Sequence, residues 1–171
     1  MDFFNEWIVK RKRSVLDIMT IFITLLAAVF IIYLLLAFSR YIIGLLPIAI
    51  ALVIYLAYRV ISNSNIEYEY IVTNGNMDVD KIIARKRRKK VLSINAKDFE
   101  YFAPLTQEHA SVFDDKSITK RIDVSSNTPS ERTHFAIYYN NGEKVCLIFE
   151  PTDKMIENFS HYISRSLNHT L

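Results

Sequence analysis

Residues 81–90 hold seven cations and no acid, and six of the seven are consecutive: Arg85, Lys86, Arg87, Arg88, Lys89 and Lys90. A run of this kind attracts phosphate, above all the headgroups of an anionic membrane surface. Nucleic acid is the partner least suited to it, because no aromatic side chain is interleaved to stack on bases. The other reactive side chains are dispersed. His109, His134, His161 and His169 fall on loop, strand, helix and tail, with no i, i+4 pair to hold a metal. Asp78 and Asp80 read as outward strand carboxylates and Asp114-Asp115 as a loop pair. Gly44, Gly75 and Gly142 are the only glycines, too few and too scattered for a nucleophile elbow or a phosphate-cradling loop. Cys146 stands alone, which excludes an intrachain disulfide and a CxxC metal site. Its apolar surroundings suit a small buried hydrophobe in a reducing cytoplasm. No catalytic residue, metal site or cofactor is expected, and the chain reads as a non-enzyme.

The elements that must position the basic run begin with a membrane hairpin. Residues 16–61 are almost wholly apolar, and Arg40 is the only full charge after Asp17 and before Arg59. Residues 16–38 and 41–61 form helices of roughly 34 and 31 Å, each matching a hydrocarbon core of about 30 Å. The short connection at Ser39 and Arg40 makes them antiparallel neighbours. Lys10, Arg11, Lys12 and Arg13 precede the first span and Arg59 closes the second, so the positive-inside bias places both termini in the cytoplasm. The first span exceeds the roughly 7–15 residues of a secretory h-region and is followed at once by a second, so it reads as permanent. Residues 1–15 read as an amphipathic, basic cytoplasmic flank. Phe3, Phe4, Trp7 and Ile8 would form an apolar turn or two in the headgroup zone, or, on the plainer reading that weighs more, an ordinary aromatic and basic flank that fixes topology and nothing more. Trp7, Lys10, Arg11, Lys12, Arg13 and Arg59 are the expected membrane-interface residues.

Residues 62–66 are a linker of at most roughly 18 Å, and residues 67–171 form one soluble domain large enough for its own core. Residues 66–171 carry 15 Lys and Arg against 15 Asp and Glu, so the domain is neutral overall and strongly dipolar through its basic run. Asn74-Gly75 and Asn141-Gly142 each lie between β-rich runs, the strongest short hairpin signal. The first joins residues 67–73 to 77–83 and the second joins 134–139 to 144–149. Weaker strand patterns cover 90–94, 99–103 and 119–125. Residues 104–116 read as a mobile loop with one helical turn, and residues 127–130 as a turn cluster. After Pro151 the period lengthens. Thr152 or Asp153 caps a helix whose apolar stripe runs through Met155, Ile156, Phe159, Tyr162, Ile163 and Leu167. Seven antiparallel strands in a small barrel or sandwich, closed by an amphipathic C-terminal helix, is the expected fold beside the two-helix membrane hairpin.

That order resembles the pleckstrin-homology (PH) fold. The stretch from Tyr70-Ile71-Val72-Thr73-Asn74-Gly75 through Met77-Asp78-Val79, then the basic run and Val91-Leu92-Ser93-Ile94, is similar to the bacterial PH domain family. In that family such domains commonly follow paired membrane spans. The whole chain also resembles a small family of bacterial two-span membrane proteins. Asp80-Lys81-Ile82 stands where those domains usually place an Arg-Ser-Gly turn. The signalling PH domains bind headgroups with basic residues around the first hairpin loop. Here that loop is the uncharged Asn74-Gly75-Asn76, so their phosphoinositide chemistry does not carry over.

Two functions follow. One is a membrane-anchored, non-enzymatic binding or scaffold module whose basic run docks on membrane lipids, with the barrel's open edge or the loop after residue 104 free to recruit a peptide or membrane-protein partner. Against it stands the plainer view of the run as solvated surface and topology signal. The other function is a structural subunit that acts through its hairpin, using the small residues Ala27, Ala28, Ala37, Gly44, Ala49 and Ala51 as contact surfaces.

Overall fold

The computed structural model describes residues 3–128 and 130–163. They fall into two compact units. One is helical, made of Arg13–Ile66 together with Ile83–Lys86, and the other segments form a β-rich unit.

In the helical unit, helix α1 (Val15–Ala37) starts at Ser14. The Ser14 hydroxyl accepts from Leu16 N at 3.1 Å, and the Asp17 carboxylate accepts from Ser14 N at 2.8 Å. This reciprocal cap also places the one acid of the apolar segment at the positive end of the helix. A short turn of helix, α2 (Ser39–Ile42), leads to α3 (Leu46–Asn63). The second long helix therefore begins later than residue 41. Pro47 suits the first turn of a helix and sets that start. Both long helices are apolar enough to cross a membrane, and neither buries a residue. Phe22, Ile23, Leu26 and Phe30 are all more than half exposed. Thr20 and Thr24 turn their hydroxyls back onto the carbonyls of Leu16 and Thr20, at 2.8 and 2.7 Å. Both polar groups are thus satisfied inside the helix.

The β-rich unit has eight strands among the described residues, in two four-stranded sheets. The expected count was seven, and the sheets do not close into a barrel. The first sheet runs in the order β1 (Phe4–Lys10), β2 (Ile66–Thr73), β3 (Asn76–Ile83), β4 (Arg87–Asn95). The second contains β5 (Phe99–Pro104), β6 (Lys120–Asp123), β7 (His134–Asn140) and β8 (Glu143–Phe149), in the order β5-β7-β8-β6. Both Asn-Gly pairs make the expected turns, with φ of 47° and 82° at Asn74 and Gly75 and 51° and 83° at Asn141 and Gly142. β6 lies parallel to β8, unlike the antiparallel pairs β5–β7 and β7–β8.

The additional strand corrects the reading of the N-terminal flank. Residues 4–10 form no amphipathic helical turn. They pair antiparallel with β2, Trp7 opposite Tyr70 and Lys10 opposite Glu67, and Val9 is buried. The physical reason is that Trp7, Ile8 and Val9 are strand formers, and β2 has an edge for them to complete. The long helices are thus inserted into the connection between two adjacent strands of one sheet.

The core lies between the sheets. Tyr70, Val72, Met77 and Val79 of the first and Phe102, Leu147 and Phe149 of the second are buried, and Tyr70 stands edge-on to Phe149 at 6.1 Å between ring centroids. Helix α5 (Asp153–Tyr162) seals it. The Thr152 hydroxyl caps its first turn, and Met155 and Phe159 are fully buried. Phe159 stands edge-on to Phe102 and Phe149 at 5.9 and 6.3 Å between ring centroids. Ser164, Arg165, Leu167 and His169 lie outside the described residues, as does Pro129 of the turn cluster. The segment read as a mobile loop is anchored instead. Its short helix α4 (Ala110–Phe113) lays Val112 and Phe113 against a cluster of Ala103, Phe135, Ile137 and Cys146, and Lys144 holds Asp115 at 2.7 Å.

Candidate functional site

The basic run is a β-hairpin tip. β3 ends at Ile83 and β4 begins at Arg87, with Lys86 N donating to Ile83 O at 3.1 Å. Ala84 and Arg85 both have positive φ, 54° and 55°, so the turn has the twist of a type I′ hairpin without glycine or asparagine. Such backbone costs on the order of 1 kcal/mol or more per residue, and it persists only where neighbours hold it. Here the neighbour is known: Ala84 N donates to Asn65 O at 2.8 Å. Asn65 lies just past the end of α3, and both residues belong to the helical unit. The turn carrying Arg85 and Lys86 is therefore tied to the exit of the second long helix.

All six residues from Arg85 to Lys90 are exposed, but they are not equivalent. Arg88 grips Glu69 through both guanidinium nitrogens, Nη2 to Oε1 and Nη1 to Oε2, each at 3.0 Å. The Glu69 side chain is fully buried while that of Arg88 is 62 % exposed. Burial raises the Glu69 pKa above its ordinary value. Arg88 opposes that rise; Glu6 adds to it through a side-chain hydrogen bond and by repulsion, and Asp80 by repulsion. Lys90 pairs with Asp78 at 2.9 Å, and Ser93 donates to the same carboxylate. These contacts hold the Asp78 pKa below the ordinary value, the Ser93 bond first and Lys90 second. Among the described residues, Lys86, Arg87 and Lys89 make no ion pair.

The other expected interface residues are distributed over both units. Trp7, 40 % exposed, and Lys10 are strand residues of β1. Lys12 N donates to Ser126 O at 2.7 Å, which ties the chain after β1 to the loop before β7. Arg11 lines a polar cleft of about 280 Å³ with Tyr68, Asp123, Ser125 and Asn127. Arg13 opens the helical unit, and Arg59 is an exposed residue of α3. Sequence reasoning missed Glu69, because in the alternating pattern of β2 it reads as an outward residue. It also missed the Asn65 tether, for which no local signal exists.

Among the described residues the histidines do not converge. His109 Nδ1 bonds Tyr101 Oη at 2.8 Å, and His134 Nδ1 bonds Arg132 O at 2.9 Å. His134 is buried, which lowers its pKa. His161 lies on α5. Burial pushes the Cys146 thiol up to about 11.

In comparisons with known proteins, a family model described as "Bacterial PH-like domain (DUF6106)" matches residues 1–169. No curated protein and no solved structure matches the chain.

Proposed function

This chain belongs to the bacterial PH-like domain family, and from that premise we propose that it is a membrane-anchored, non-enzymatic binding or scaffold module. In this reading α1 and α3 span the cytoplasmic membrane with both termini inside. The domain is held at the inner face and docks on anionic lipid through the hairpin tip. Support for the anchor comes from two helices whose Leu, Ile and Phe side chains are exposed along their length, a surface that calls for an apolar solvent. The observation that carries the docking is the bond from Ala84 to Asn65, which fixes Arg85 and Lys86 beside the end of α3. A cation there is within the roughly 8–10 Å over which an anionic surface acts. Each cation in contact contributes about 1 kcal/mol. Lys86, Arg87 and Lys89 would supply about 3 kcal/mol together. Arg88 and Lys90, already held by acids, would supply less.

Trp7 is the single tryptophan and so a usable donor. The full chain in phosphatidylcholine nanodiscs would be doped with dansyl-labelled phosphatidylglycerol or dansyl-labelled phosphatidylcholine. Stronger transfer to the anionic lipid, weakened by salt and by Lys86→Gln with Arg87→Gln and Lys89→Gln, is expected. Equal transfer to both lipids would overturn the docking.

A second reading, as a structural subunit, is favoured by a groove of about 290 Å³ between α1 and α3, lined by Thr24, Ala27, Ala28 and Ala57 among others. It predicts that a partner retained in mild detergent is lost when the helical hairpin is replaced by an unrelated one.

A further inference from the structure

Among the described residues the first sheet ends at β4 and the second at β6, with no further strand paired to either. The edge of β4 opens onto a groove of about 260 Å³ that β6 also lines. Four successive residues of β4, 91–94, line it, together with Lys120 and Ile122 of β6 and Tyr138 of β7. Consecutive residues of a strand point to opposite faces, so a groove lined by four in a row runs along the edge of the backbone. The far wall is the sheet face that carries Lys120, Ile122 and Tyr138, closed at the end of β7 by Tyr139 and Asn140. Lys120 and Tyr138 both stand beside Val145, while Ile122 and Ala136 both stand beside Leu147. An edge with unpaired N–H and C=O groups beside apolar side chains at alternate positions is what strand addition requires.

The charges select the occupant. Lys120 borders the groove, and β4 continues from it into Arg87 and Lys89, which make no ion pair among the described residues. Asp98 is the one acid lining the groove, and it is offset by Lys120. The excess is therefore positive.

We propose that the gap between β4 and β6 is a peptide-binding groove that takes an extended, acidic segment of a partner protein, added as a strand to the edge of β4. The segment would place alternate apolar side chains over Ile122 and Tyr138, and its acidic residues against Lys120 and the basic half of β4. About five residues of edge at 91–95 call for a segment of about five to seven residues, a strand of ordinary length. The proposal shares Arg87 and Lys89 with lipid docking, so its test excludes anionic lipid.

The test uses the full chain in nanodiscs of phosphatidylcholine alone, so that no anionic lipid competes. The probe is a fluorescent synthetic peptide of about seven residues alternating Glu and Val, titrated by anisotropy. It is compared with the same peptide N-methylated at one alternate set of residues, at the other set, and with a composition-matched peptide carrying a central Pro. Saturable binding is expected, lost more than tenfold for one N-methylated form and for the Pro peptide, and retained by the other form. Lys120→Glu, at an exposed position, should weaken it severalfold. No saturable binding, or equal binding of all four peptides, would overturn the proposal. So would protection, gained without peptide on adding anionic lipid or raising the concentration of the chain, of those amides in 91–95 that point away from β3. Failure of lipid docking leaves the peptide result unchanged, and the two readings fail separately.

Discussion

The contact between Arg88 and Glu69 should be strongly asymmetric in its energetics. Glu69 is fully buried, and its only cationic partner among the described residues is Arg88, whose side chain is 62 % exposed. Arg88→Ala leaves a desolvated carboxylate, with Glu6 and Asp80 nearby to repel it. Breaking a buried pair in this way costs about 3–5 kcal/mol. The exposure of Arg88 admits some water and points to the lower end, about 3 kcal/mol, or a fall in Tm on the order of 10 °C. Glu69→Gln does the opposite. It removes the buried charge and leaves an arginine that water can solvate, so stability should stay within about 1 kcal/mol of the parent or rise. The pH dependence separates charge from packing. Folding raises the Glu69 pKa, so the folded state binds the proton more tightly than the unfolded state. The penalty on the ionised form is full above the raised folded-state value, shrinks as pH falls through it and disappears below the unfolded glutamate value, about pH 4. The Arg88→Ala deficit should shrink over the same range. Thermal unfolding of the full chain in mild detergent, followed by Trp7 fluorescence at several pH values, provides the assay. Equal losses for the two variants, or a deficit for Arg88→Ala that ignores pH, would refute the reasoning.

Three further outcomes can be checked together. Gly75 and Gly142 share a positive φ, but a Cβ on Gly75 would lie 2.6 Å from the Tyr162 ring while one on Gly142 meets nothing within 4 Å. Gly142→Ala should cost about 1 kcal/mol. Gly75→Ala should cost a further 1–3 kcal/mol or so, read by thermal melting, and comparable losses would contradict the packing of α5. Deleting residues 1–10 removes β1 and the buried Val9, so it should lower the melting temperature of the β-rich unit even though Arg11 to Arg13 remain. An unchanged melt would restore the reading of this segment as a mere flank. Cys146, with its thiol pushed up to about 11 by burial, should react with a thiol reagent at pH 8 roughly a hundredfold more slowly than an exposed cysteine. It should become reactive on unfolding, and rapid labelling of the native chain would show that the site is open.

What was legible in the sequence was whatever local chemistry enforces. Asn74-Gly75 and Asn141-Gly142 could be read because their turns need positive φ at both positions, and α5 because Thr152 caps a stripe of helical period. The apolar helices were evident from length alone, although Pro47 starts the second one later than its hydropathy suggests. The first strand was illegible because its partner β2 lies on the far side of both long helices. The turn at Ala84 and Arg85 carries no turn residue, and it is held by a contact with Asn65 that is distant in sequence. Glu69 looked outward by alternation, but its burial depends on neighbours from other strands and on Arg88. The parallel placement of β6 beside β8 likewise left no mark on residues 119–125. Of the six cations expected to act together, the sequence could not separate Arg88 and Lys90, which face acids, from Lys86, Arg87 and Lys89.

The central claim is that the hairpin tip rests on anionic lipid, and lysine acylation in nanodiscs tests it on the residues themselves. Lys86 and Lys89 would be compared with Lys116, an exposed lysine far from the basic run in sequence. In phosphatidylglycerol-containing bilayers at low salt, the reactivity of Lys86 and Lys89 should fall severalfold relative to phosphatidylcholine and recover at high salt, with Lys116 unchanged. Reactivity of Lys86 and Lys89 that is the same in both bilayers at every salt concentration would contradict the account.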